Sequence, residues 1–221
     1  MKVTREVNPF WLRLWHALQA ACFFGLLISG LSMHFSDAKV MHLPFRIAVH
    51  VHNGCGVAYV GLWVFFLIAN LTTGHVRHYL PSRKKHGHNL VKQIRFYLYG
   101  MFRGEPHPFP PSFRHKFNPV QKFAYTTVMY VLTPLSAASG LTLLFPLVAP
   151  EEAAGMTGLL PVAMVHLAVG YLISVFLVFH IYLATTGETV GSYYAEMLTG
   201  IRISDAPPSR PPRSSHSAPR T

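Results

Sequence analysis

The sequence predicts an all-α integral membrane protein, a four-helix bundle with both termini cytoplasmic. Three observations predict it. Of the 221 residues, 51% are hydrophobic and only 12% charged, against roughly 25% charged in an average soluble domain. Four runs contain no Asp, Glu, Lys or Arg: Leu14 to Ser36, Ile47 to Val76, Phe123 to Pro150 and Ala153 to Gly187, of 23, 30, 28 and 35 residues. The 19 Lys and Arg residues divide 17 to one side of these runs and 2 to the other. A spanning helix needs roughly 20 apolar residues, so each run holds one span and none comfortably holds two. Backbone in hydrocarbon must satisfy its own hydrogen bonds, which makes the spans helical.

The first span is expected near 12–34. It is too long for a signal-peptide core and has no small-residue cleavage site, so it reads as retained. The second is expected near 47–72, after an outer loop (about 36–46) carrying only Lys39 and Arg46. Ten of the Lys and Arg residues lie between Arg77 and Lys122. The positive-inside rule therefore makes this loop, 77–121, cytoplasmic with both termini. Its aromatics are too many for a plain linker, and a short helix is expected near 89–101. The third and fourth spans are expected near 122–145 and 160–185, joined by an outer loop at about 146–159. Residues 1–203 thus form one membrane domain. The Pro-, Ser- and Arg-rich tail, 204–221, cannot bury enough surface to order itself. The net charge of +11 follows from topology and lipid-headgroup contact, and no nucleic-acid reader is apparent.

Histidine within a span points to function by default. The candidates are His16 in the first span, His50 and His52 in the second, and His166 and His180 in the fourth. Any one alone could simply hydrogen-bond to a neighbouring helix. The set says more. His166 and His180 are 14 residues apart, just under four turns, which puts them on nearly one face and ~21 Å apart along the axis. With alternating helix direction, His52 lies level with His166 on the outer side, and His16 level with His180 on the inner side. Two histidine pairs at two depths result, and each can supply two axial ligands to one iron. His50 and His52 sit about 200° apart on a helix, so at most one faces the bundle. His52 is deeper and has Gly56 one turn on, and is preferred.

The cofactor follows from what else the spans hold. They contain no Asp or Glu, which excludes a di-iron carboxylate bundle. No Cys-x-x-Cys-His is present, and Cys22 and Cys55 are isolated, which excludes c-type haem attachment and an iron–sulfur cluster. Zinc usually takes four ligands, which suits two separated pairs poorly. Two bis-histidine b haems remain, giving an electron wire across the bilayer.

Several motifs carry a family resemblance over roughly residues 8–200. They are Asn8-Pro9-Phe10-Trp11-Leu12-Arg13-Leu14-Trp15-His16, His52-x-x-x-Gly56, Lys116-Phe117-Asn118-Pro119-Val120-Gln121-Lys122, and the interval His166 to His180 followed by Thr186-Gly187-Glu188. In this order and topology the chain resembles the di-haem cytochrome b subunits of bacterial respiratory complexes. Members of that family serve membrane formate dehydrogenase (as its gamma subunit), thiosulfate reductase and nickel–iron hydrogenase. The segment Tyr97 to Glu105 looks closer to the thiosulfate reductase branch. The resemblance implies that His16 and His180 ligate a cytoplasmic-side haem and His52 and His166 a periplasmic-side one. It also implies a quinone site (menaquinone or ubiquinone) beside the inner haem, where Asn118 or Gln121 could donate to a quinone carbonyl. Asn118 is equally good as a helix cap, with Pro119 at the first helical position. Arg13 and Arg46 could pair with haem propionates or serve as interfacial anchors.

The function expected on these grounds is a quinone-reactive electron-transfer subunit of the bacterial inner membrane. Its partner would be an extracytoplasmic iron–sulfur or molybdopterin-type subunit, and it would not itself act on a separate substrate. A stand-alone di-haem quinol-oxidising cytochrome and a non-redox transporter or assembly scaffold are the alternatives.

Overall fold

The computed structural model describes residues 3–35, 43–74, 86–109, 118–149, 151–153, 155–187 and 189–204. The tail from 205, together with His42, His75, His78, His115, His216, Lys116, Phe117 and Glu188, lies outside the described residues. In chain order the elements are β1 (Val3–Glu6), α1 (Phe10–His34), α2 (Phe45–Thr73), α3 (His86–Arg95), α4 (Pro119–Leu144), β2 (Glu152–Ala153), β3 (Met156–Thr157), α5 (Leu160–Ala184), α6 (Ser192–Thr199) and β4 (Ile201–Ser204). Helices α1, α2, α4 and α5 are each long and apolar enough to cross a membrane. The expected spans thus fall on helices whose ends differ by at most three residues. The described residues fall into two compact units, one within Met1–His16 and Tyr182–Thr221 and the other within Ala17–Ile181.

Buried positions on the spans recur at helical spacing. They are Leu12, Trp15, Gln19, Ser29 and Ser32 on α1, Ala48, Tyr59, Phe66 and Asn70 on α2, and Val169 and Ile173 on α5. The positions named on α2 and α5 return to one stripe, and those named on α1 keep to one side of the helix. Outward faces are apolar and exposed, as with Leu18, Phe24, Val64, Leu172 and Phe179, which is how a surface that meets lipid should look.

Helix α4 opens with a reciprocal cap. Asn118 Oδ1 accepts the Gln121 backbone N–H at 2.9 Å, and Gln121 Oε1 accepts that of Asn118 at 3.1 Å, with Pro119 at the first helical position. About two and a half turns on, Val128–Leu132 forms a π-helical turn. In that winding the carbonyl of Met129 would look to residue 134 for its donor. Residue 134 is proline and has no N–H. Trp63 Nε1 on α2 supplies the donor instead, at 2.9 Å from the Met129 oxygen. Tyr59 of α2 and Thr133 of α4 also share a hydrogen bond of 3.3 Å. A local fault in one helix thereby becomes the attachment point of another.

The middle segment is ordered where it is described. Helix α3 continues through a π turn (Phe96–Gly100) and a 3₁₀ turn (Met101–Arg103), so the expected short helix runs longer at both ends. His107 packs against Phe96, ring centroids 4.7 Å apart. Its Nδ1 accepts the Phe109 N–H at 3.2 Å, and its Nε2 lies 3.5 Å from the amide nitrogen of fully buried Gln93. Tyr97 receives a hydrogen bond from Asn118 Nδ2 at 2.9 Å.

The unit holding the terminal segments was not foreseen. Strands β1 and β4 pair antiparallel, Val3 opposite Ser204 and Glu6 opposite Ile201. Buried Glu196 on α6 takes a two-pronged ion pair from Arg202 (2.6 and 2.9 Å) and a bond from Asn8 Nδ2 at 3.4 Å. Arg13 donates to the carbonyl of Leu198, at the end of α6. Gly200 ends that helix at φ +80°, and its carbonyl accepts the N–H of Val7. A Cβ there would lie 2.7 Å from the Asn8 oxygen and 3.1 Å from Arg13 Nε. Glycine is therefore required twice over, by the left-handed backbone and by the close approach.

Two outcomes follow. Gly200→Ala should destabilise the detergent-solubilised chain by about 1–3 kcal/mol, lowering its thermal midpoint, while Gly54→Ala, whose Cβ meets nothing, should not; equal midpoints would contradict the close packing at Gly200. Burial holds the His107 imidazole below its ordinary pKa, so the unfolded segment binds the extra proton more readily. The stability this contributes is present above about pH 6.5 and is lost as the pH falls toward the depressed value. Protection of the Phe109 amide from hydrogen exchange, corrected for intrinsic rate, should therefore drop between about pH 7 and about pH 5. His107→Phe should remove that dependence.

Candidate functional site

The site begins with two similar constructions, both within the unit Ala17–Ile181. His52 stands seven residues past the start of α2, and His166 six past the start of α5. Each is met by a Ser-Gly pair on the preceding span: Ser29-Gly30 on α1 and Ser139-Gly140 on α4. Ser29 Oγ lies 3.1 Å from His52 Nδ1, and Ser139 Oγ lies 3.0 Å from His166 Nδ1. Both serines are buried, at 0% and 7% exposure. The glycines let the rings lie close to the helix backbone. A Cβ on Gly30 would sit 3.4 Å from His52 Cε1, and one on Gly140 would sit 3.0 Å from His166 Cε1.

The hydrogen-bond partners favour one tautomer. A hydroxyl has one proton. Ser29 gives its proton to the carbonyl of Gly25 at 2.6 Å, and Ser139 to that of Leu135 at 2.7 Å. Each oxygen then has only lone pairs left for the imidazole, so it accepts from an Nδ1–H. Both rings therefore carry the proton on Nδ1 and leave the Nε2 lone pair for a metal. The two rings meet edge-on, with centroids 6.2 Å apart and planes at 75°.

That spacing tests the fit of a b haem. Metal–nitrogen bonds of about 2 Å, added to an imidazole ring radius of about 1 Å, put two axial rings about 6 Å apart centre to centre. The pair fits. Among the described residues, no three His, Cys, Asp or Glu side chains converge on one point. An ion held by this pair would take its other donors from outside those residue types, as the four nitrogens of a macrocycle would supply.

The remaining sequence candidates are placed as follows. His50 is exposed and its Nδ1 turns back to the carbonyl of Arg46, 2.7 Å away on its own helix. Arg46 is itself exposed near the start of α2. His180 lies 14 residues beyond His166 on α5, stacked on Phe176 at 5.4 Å and met edge-on by Tyr125 of α4 at 6.1 Å. His16 is half-buried six residues into α1. Arg13 is engaged by the Leu198 carbonyl. Asn118 has its oxygen in the cap and its Nδ2 on Tyr97, and the capping box does not use Gln121 Nε2. The sequence reading missed Ser29, Ser139 and Gly140. The one signal that could have found the serines is the repeated Ser-Gly dipeptide ahead of His52 and His166, by 23 residues in one case and 27 in the other.

Comparison with known proteins bears on the same geometry. Residues 7–200 match the family "Prokaryotic cytochrome b561". Over 189 residues the chain is 37% identical to "Putative cytochrome YdhU" of Escherichia coli (strain K12), covering 86% of this chain and 71% of that protein. The expected kinship with bacterial b-type cytochrome membrane subunits is borne out. With its four apolar helices, the chain belongs to the prokaryotic cytochrome b561 family, as a multi-pass b-type cytochrome of the bacterial inner membrane that binds haem b and works in electron transfer.

Proposed function

We propose that the protein carries two b haems and passes electrons across the membrane between the quinone pool and an extracytoplasmic oxidoreductase partner. The observation that carries this reading is the His52–His166 pair, 6.2 Å between ring centres with each Nδ1 tied to a serine. A b haem supplies a one-electron iron centre held by its axial ligands. His52 and His166 would hold the outer one through Nε2. By the family resemblance, His16 and His180 would hold the inner one. Ser29 and Ser139 keep the outer rings aligned, and the apolar helix faces keep water from the ligands.

Quinone would react at the cytoplasmic end, where the opening of α4 places Asn118 and Gln121. A quinone carbonyl needs a donor there. Asn118 gives its oxygen to the cap and one amide N–H to Tyr97, so the donors this pair can still offer are the second Nδ2–H of Asn118 and Gln121 Nε2. Arg13 already holds the Leu198 carbonyl, which favours the anchoring role over propionate binding. The partner would be an iron–sulfur or molybdopterin-type subunit docked on the short outer loops, with the long basic loop kept on the cytoplasmic side by the positive-inside rule.

Pyridine haemochrome quantitation on the purified full chain tests this reading. The expected content is two b haems per polypeptide, falling to one in His166→Ala and staying at two in His50→Ala. A colourless, folded preparation from haem-replete cells would overturn it. So would a His166→Ala protein that keeps both haems.

A further inference from the structure

We infer that Ser29 and Ser139 are positioning residues that set the proton position and donor strength of His52 and His166, and so tune the potential of the haem this pair would hold. The inference rests on the ligand reading just given. Each serine satisfies its own proton on its own helix, to Gly25 and to Leu135, and so needs no histidine for itself. Each nevertheless presents its lone pairs to an imidazole Nδ1 at 3.0–3.1 Å. An imidazole N–H donated to an oxygen becomes more basic at the opposite nitrogen. A more basic ligand favours the oxidised, more positive iron and lowers the potential. The arrangement occurs twice, from α1 toward α2 and from α4 toward α5, with glycine following the serine each time. Packing alone would not require a hydroxyl in both places. The carbonyls of Leu26 and Ser136 also accept from these rings, so each serine adds a second oxygen to the Nδ1 side of its imidazole.

The test is an optical redox titration of the full chain with Ser29→Ala and Ser139→Ala made separately, each beside its threonine counterpart, with haem content measured throughout. The expected result is two haems retained and one midpoint moved upward, so that the reduced-to-oxidised ratio of that haem at a fixed potential rises several-fold. Threonine, which keeps the accepting oxygen, should restore the original midpoint. Loss of that haem in the alanine variant with recovery in threonine would support the same role. An unchanged or lowered midpoint, or a loss that threonine does not restore, would overturn it. Failure of the ligand reading looks different: haem content would then be indifferent to His166→Ala. Failure of the serine inference leaves haem content sensitive to His166→Ala and the midpoint insensitive to the serines.

Discussion

Hydrocarbon offers no hydrogen-bond partners, and every polar atom within a span must find one inside the bundle. The described spans answer this constraint at several points, while buried Ser32 Oγ and the Asn70 amide make no hydrogen bond there. Thr72, Thr142 and Ser174 return their hydroxyls to carbonyls four residues back on their own helices. Trp63 meets the carbonyl that Pro134 leaves without a donor. The serines opposite His52 and His166 do both at once, bonding their own helix with the proton and the imidazole with the lone pairs. Nδ1 is thereby occupied by protein and Nε2 is left as the ligand. The functional reading of the His52–His166 pair rests on that division of labour between two ring nitrogens.

Much of the fold was legible because its cause is local. A charge-free run of 23 to 35 residues leaves few options to the chain, and the four spans fall close to the helices α1, α2, α4 and α5. Fixed helical rise made the depth of His52 and His166 legible as well. Their preference over His50 follows from which face of α2 turns inward, and the structure turns His50 back onto its own backbone. The cap at Asn118 was readable from Asn-Pro followed by Gln at the right spacing, and it is present.

The rest depended on contacts between distant segments. Nothing local to Val3–Glu6 announces a strand partner at Ile201–Ser204. Glu196 reads as an ordinary surface acid until Arg202 and Asn8 close on it. Ser29 and Ser139 escape notice because serine in an apolar helix usually bonds only to its own backbone. Their second role exists only once a neighbouring helix delivers a histidine. The π turn in α4 is similar, since Pro134 predicts a disturbance without saying which residue repairs it.

The account centres on one claim, that His52 and His166 are the two axial ligands of a single b haem through their Nε2 atoms. An experimental density map of the full chain, purified from haem-replete membranes, tests it most directly. The account predicts a flat macrocycle between the two rings, with both Nδ1 atoms still on Ser29 and Ser139. Rings in direct contact with each other, or a haem ligated by other side chains while this pair stays apart from it, would contradict it.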